Sequence, residues 1–224
     1  MIISLLALPL TLIGMQQRIA ERLTGRVSPD VAALVTQLGT AAAARGLPVD
    51  PMIQKAIEGS AKGIPSERVV TAVRLVAMQL DTAAAALREG GLVGDTLMIA
   101  AGEFAITAGL SANDITALAR TKASASALTV GLRVAGTLAA LGVPPAETIG
   151  LVSATLRSGQ PAESLLLLPA HVQSEMAKGI TPAQAAAGLE RAAAAQARHG
   201  PPPNRGQPPP HPAPPPHPSP PPHP

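Results

Sequence analysis

Three histidines near the C-terminus, His211, His217 and His223, recur every six residues in the run PPPHPA, PPPHPS, PPPHP. Imidazole is the commonest metal ligand among side chains. Proline-rich chain favours the polyproline II helix, which has three residues per turn, so this period puts the rings on one face roughly 19 Å apart. That is too far for one ion to be shared without bending the chain. Each ring could hold a soft ion singly or bridge two chains. The same segment also reads as a semi-rigid, low-complexity spacer, or as a proline helix for another protein to recognise.

Lys55, Glu58, Lys62, Glu67 and Arg68 form the densest charged cluster. Positions 55, 58 and 62 share one helix face and can pair at i,i+3 and i,i+4. The cluster is either a partner-docking patch or a solvated face of weak surface ion pairs. Glu103 stands in the apolar stretch LMIAAGEFAITAG. A buried glutamate there would titrate high and could serve as a general acid. Yet Thr96, Ala100, Glu103 and Thr107 recur at helical spacing, and this weakly polar stripe is expected to face outward. His171 is the one histidine between positions 27 and 198, and Glu175 lies one turn beyond it. Two donors fall short of the three or four that a zinc site needs.

No familiar catalytic phrase is present. GSAKG (59–63) is not G-x-S-x-G, and IEGSAKGIPS lacks the order of a phosphate-binding loop. There is no H-E-x-x-H, EF-hand loop or dinucleotide fingerprint. Cysteine is absent, so there is no disulfide, thiolate metal site or cysteine nucleophile. The expectation is a chain that is not an enzyme and carries no cofactor; an enzyme built on a helical scaffold is the least favoured alternative. The net charge is +3, with one Phe and no Trp or Tyr. Without clustered Lys and Arg or stacking rings, nucleic acid is not an expected partner.

The elements that must position these residues are helices. Ala, Leu, Val and Ile have to build the core, and Ala-rich helices can approach closely. Alternating strand patterns and hairpin turn pairs are missing. A phrase of Gly, an aliphatic residue, then Pro, Ser or Thr recurs at Gly46, Gly63, Gly109, Gly142, Gly159 (where Gln replaces the aliphatic) and Gly179. Gly ends a helix in the left-handed conformation, Pro opens the next, and Ser28, Ser111 and Thr181 are expected N-caps. Glu67, Glu147 and Glu163 fall in first turns, where negative charge suits the helix dipole. The phrase predicts helices over 29–45, 49–61, 65–88, 95–108, 112–120, 124–141, 145–158, 162–168, 170–178 and 182–198. The fold class is all-α: about ten short antiparallel helices, as a small α-solenoid or an irregular bundle. A shift of 96 positions superimposes 44–69 on 140–165, which suggests an internal duplication. The domain plan is an apolar leader at 1–22, a helical-repeat domain at 27–198 and a disordered Pro/His-rich tail at 199–224.

The opening run MIISLLALPLTLIG is apolar and uncharged. It is short for a transmembrane helix, which needs about 20 residues, and suits the core of a signal peptide. It lacks a basic start and a small-x-small cleavage site, so the other reading is a hydrophobic first helix that packs on the domain. GLPVDPMIQKAIEGSAKGIPSERVVTAV (46–73), FAITAGLSANDI (104–115) and GITPAQAAAGL (179–189) carry a resemblance. In these segments the chain resembles a group of exported bacterial proteins of unknown function built on Ala-rich helical repeats. That resemblance implies a family context and no site. The expected function is a non-enzymatic binding or scaffolding protein of the cell envelope or exterior. Its partner would be a protein or envelope component, with no stable membrane span once the leader is removed and Arg68, Arg74 and Arg133 as candidate anchors. Metal binding through the tail is the alternative function, and a cytoplasmic location with a hydrophobic first helix is the alternative place.

Overall fold

The computed structural model describes residues 7–159 and 161–199, with side chains from Gly14 to Arg198 apart from position 160. His211, His217 and His223 lie outside the described residues. Among the described residues the regular elements are all helices, with no strand: α1 (Ala7–Leu23), α2 (Pro29–Ala44), α3 (Asp50–Ala61), α4 (Ser66–Glu89), α5 (Thr96–Thr107) and α6 (Ala112–Ala119). They continue as α7 (Ala125–Ala140), α8 (Pro145–Arg157), α9 (Ala162–Leu166), α10 (Leu168–Ala177) and α11 (Pro182–His199).

The corners follow the expected local chemistry. Gly46 and Gly142 have φ of 75° and 86°. At the first, Leu47 N–H donates to the Ala42 carbonyl and Gly46 N–H to that of Ala43; at the second, Val143 donates to Leu138 and Gly142 to Ala139. This is the Schellman arrangement, which satisfies two of the carbonyls a helix end leaves orphaned. The aliphatic residue of each phrase is therefore the residue that closes the previous helix, and Leu47 and Val143 are both buried. The other phrase glycines, at 63, 109, 159 and 179, also have positive φ.

Three local expectations are corrected. Pro65, Pro144 and Pro161 are N-cap residues, with φ from −54° to −61° and extended ψ, so α4 begins at Ser66 rather than at 65, while α8 and α9 begin at 145 and 162 as expected. The fixed φ of proline suits that half-extended position as well as the first turn. Ser28 occupies the cap of α2 without bonding to it; its hydroxyl meets that of Ser66 at 3.0 Å instead, tying α2 to the start of α4. Pro169, which falls between the expected helices 162–168 and 170–178, does not separate them. The break is at Leu167, and Pro169 lies in the first turn of α10, where its missing N–H costs nothing.

Packing is sequential. The helix pairs in substantial contact are one or two steps apart along the chain, except that α10 reaches α7 and α11 lies along α8. The even-numbered helices α2, α4, α6 and α8 touch in succession; among the odd ones, α1 touches α3, and α5, α7 and α9 touch in order. Neighbour-only contact is the signature of an array, and α9 to α11 fold back to close its far end. The burial register of 47–69 repeats at 143–165: Met52 and Thr148, Ala56 and Val152, Gly59 and Thr155, and Val69 and Leu165 are all buried. Beyond that point the two segments differ, because α4 has 24 residues and α9 has five.

Interior glycines let the rods close on one another. A Cβ at Gly136 of α7 would stand 2.6 Å from the Phe104 ring of α5. Helix α4 has the length and composition of a membrane span, but it packs on α2, α3, α5 and α6 and buries Val69, Val73, Val76, Leu80 and Leu87 among them. The leader boundary at 22 falls inside α1, and Ile19 and Leu23, on either side of it, are buried in the core.

Candidate functional site

Helices α3 and α5 both pack on α4 but make no substantial contact with each other. The odd-numbered tier is thus split, and the split is an open cleft of about 820 Å³. One wall is the second half of α1 with Met15, Arg18 and Ile19; another is the corner from Leu47 to Pro51 with Ile53 of α3 behind it. Thr96, Leu97 and Ala100 of α5 face them, and Arg133 of α7 closes the end. A second cavity of about 380 Å³ shares Ala100 and Arg133 and continues past Phe104 to Thr137. Ligand sites of globular proteins fall in this size range and are mostly apolar with a few placed polar groups.

Local chemistry aims these walls. The Asp95 side chain accepts from Met98 N–H at 2.8 Å and fixes the start of α5. Met98 and Ile99 then turn into the core, which leaves Leu97 facing the cleft with 63% of its surface exposed. Gly39 of α2 permits the opposite wall: its Cβ would lie 2.8 Å from Val49 and 3.0 Å from Ile19.

The polar groups of the cleft divide unevenly. Arg22 of α1 pairs with Asp50 of α3. Gln17 donates to Glu21 at 2.9 Å. The guanidinium groups of Arg18 and Arg133 have no hydrogen bond or ion pair among the described residues. Arg133 is the one proposed anchor that the fold places at the cleft; Arg68 and Arg74 lie exposed on α4.

Glu103 does not face outward. It is only 8% exposed, and burial raises its pKa, opposed by its bond to Thr107 and by the charge of Lys55 on α3. The Thr107 hydroxyl lies 2.9 Å from Glu103 Oε1 and 3.0 Å from Gln79 Oε1. One hydroxyl proton cannot serve two acceptors. The count closes if a protonated Glu103 donates to Thr107, which donates to Gln79, or if the Gln79 amide turns its nitrogen to Thr107. The remaining members of the expected stripe differ: Thr96 and Thr107 are exposed, while Ala100 is half-buried at the cleft.

The charged cluster is divided between two elements. Glu58 bonds Lys62 at 2.5 Å and lies 3.8 Å from Lys55, and these cations hold its carboxyl below the usual value, with the Lys62 hydrogen bond the largest cause. Glu67 and Arg68 stand exposed across the corner, in the first turn of α4. His171 is exposed and lines a shallow recess of about 280 Å³ between α8, α10 and α11. Glu175 bonds Lys178 at 2.7 Å. No group of three or more His, Asp or Glu able to hold a metal ion occurs among the described residues.

Compared with protein-family models, curated proteins and solved structures, the chain matches none.

Proposed function

We propose that this protein is a non-enzymatic binding module and that the cleft between α3 and α5 receives its guest. The observation that carries this reading is the split in the odd-numbered tier, which leaves Val49, Leu97 and Ala100 lining a cleft of about 820 Å³. An apolar guest suits these walls. They are built chiefly of helix, whose own N–H and C=O groups are paired internally, so they offer few partners to an extended peptide. A peptide laid there would bury amides without partners, at a cost for each. A hydrocarbon chain brings no such groups.

The test is uptake of Nile red, a neutral dye whose emission rises in apolar surroundings. Ala100→Phe fills the cleft from a half-buried position, and its expected result is loss of the dye signal with the unfolding midpoint retained. Met78→Ser, on the exposed face of α4, is expected to leave uptake unchanged. Equal uptake by Ala100→Phe and the parent protein would refute the cleft as the site.

A further inference from the structure

We infer that the guest is a single-chain amphiphile with an anionic head, a long-chain carboxylate, whose head pairs with Arg18 and Arg133. This inference rests on the cleft being the binding site and adds the charge and shape of the ligand.

Charge is the first argument. The cleft lining holds three guanidinium groups, of Arg18, Arg22 and Arg133, against two carboxylates, of Glu21 and Asp50. Arg22 and Asp50 cancel as an ion pair. Glu21 keeps its charge, because its partner Gln17 is a neutral amide, so the lining carries one surplus positive charge. Arg18 and Arg133 are left on separate helices, α1 and α7, with no acceptor among the described residues. Guanidinium is a planar fork of donors that matches a carboxylate with two parallel bonds. A cationic guest would meet the same two groups with repulsion.

Shape is the second argument. Arg133 stands where the two cavities meet, since both are lined by it and by Ala100. A head held at that junction leaves an apolar chain free to run over Leu97 toward Val49 and Met15. The chain would cover Leu97, a residue that exposes more apolar surface than its neighbours on α5 that turn to the core. A volume of about 820 Å³ is that of a small-ligand site, which suits one chain rather than two.

The experiment uses isothermal titration calorimetry of the full chain with three probes below their micelle concentrations. They are dodecanoate, dodecanol and dodecyltrimethylammonium, which share a tail and differ in head. The parent protein is expected to bind dodecanoate at least about tenfold more tightly than dodecanol, the scale of a charge-assisted pair, and the ammonium most weakly. Arg18→Gln/Arg133→Gln is expected to bring dodecanoate down to the level of dodecanol while dodecanol binding holds. Equal binding of dodecanoate and dodecanol by the parent protein overturns the inference, as does a double variant that keeps the preference. If Ala100→Phe abolishes Nile red uptake yet no probe competes with the dye, the ligand chemistry is wrong and the cleft reading stands. If Ala100→Phe leaves dye uptake intact, the cleft reading itself has failed.

Discussion

Replacing Ile19 with Ala tests whether α1 belongs to the fold. Ile19 is 2% exposed and its Cδ1 lies where a Gly39 Cβ would come within 3.0 Å. The substitution removes three carbon groups from a sealed site. At about 0.8 kcal/mol each, the transfer loss is about 2.4 kcal/mol. A cavity that collapses only partly adds up to about 2 kcal/mol. Alanine returns about 0.4 kcal/mol through its better helix propensity. The expected destabilisation is therefore about 2–4 kcal/mol, a large part of the 5–15 kcal/mol that holds a typical domain. The assay is equilibrium unfolding in urea, read by circular dichroism at 222 nm, with Gln17→Ala on the exposed side of the same helix as the control. Gln17→Ala is expected to change stability by no more than about 0.5 kcal/mol. A change of less than about 0.5 kcal/mol for Ile19→Ala would refute the seating of α1 in the core. Seating of α1 also bears on processing: removal of residues 1–22 would take Ile19 out of the core and leave Leu23 as a terminus, so a chain cut there is expected to unfold at lower urea.

Gly136→Ala should gain about 1 kcal/mol from helix propensity. The new Cβ would meet the Phe104 ring at 2.6 Å and the Ala105 backbone at 3.1 Å, and overpacking costs about 1–3 kcal/mol. The expected net effect is neutral to destabilising, with recovery in Gly136→Ala/Phe104→Ala; denaturant unfolding that shows the full propensity gain in the single variant would contradict the close approach of α5 and α7. Glu103 titrates above its usual 4.5 because it is buried. Its contribution to stability is therefore complete below that value and is lost as pH rises through the folded-state pKa. Glu103→Gln should remove this fall and exceed the parent protein in stability at pH 7; urea midpoints measured from pH 4 to 8 check it. Deleting residues 199–224 separates the tail from the folded domain. If His211, His217 and His223 bind metal, calorimetric titration with Ni²⁺ should lose its heat in the truncated chain, and equal uptake by both forms eliminates the tail as the ligand.

Much of this protein was legible in its sequence because the signals are local. The helix ends depend on glycine at positive φ, proline at a cap and an aliphatic residue three places past the last helical residue, all within six residues of chain. Those corners therefore fixed the elements from α2 to α11 almost to the residue, and with them the all-α class. The exceptions, at Ser28 and Pro169, arise where a distant partner or a neighbouring turn claims the residue: Ser66 for the first, the start of α10 for the second.

Which faces meet was decided only by the tertiary structure. Helix α5 is apolar nearly all round, so its sequence has no strong direction. The stripe through Glu103 looked like the outer face, yet α4 and α7 pack so that Glu103 goes in and Phe104 stays 42% exposed. The cleft is equally non-local. It exists because α4 is long enough to carry both α3 and α5 while holding them apart, and no spacing within either helix encodes that gap. Arg133 was a plausible anchor by type alone; its place between two cavities follows from the packing of α7 on α5. Local backbone chemistry determined where the rods begin and end, and long-range burial determined which of their side chains share a space.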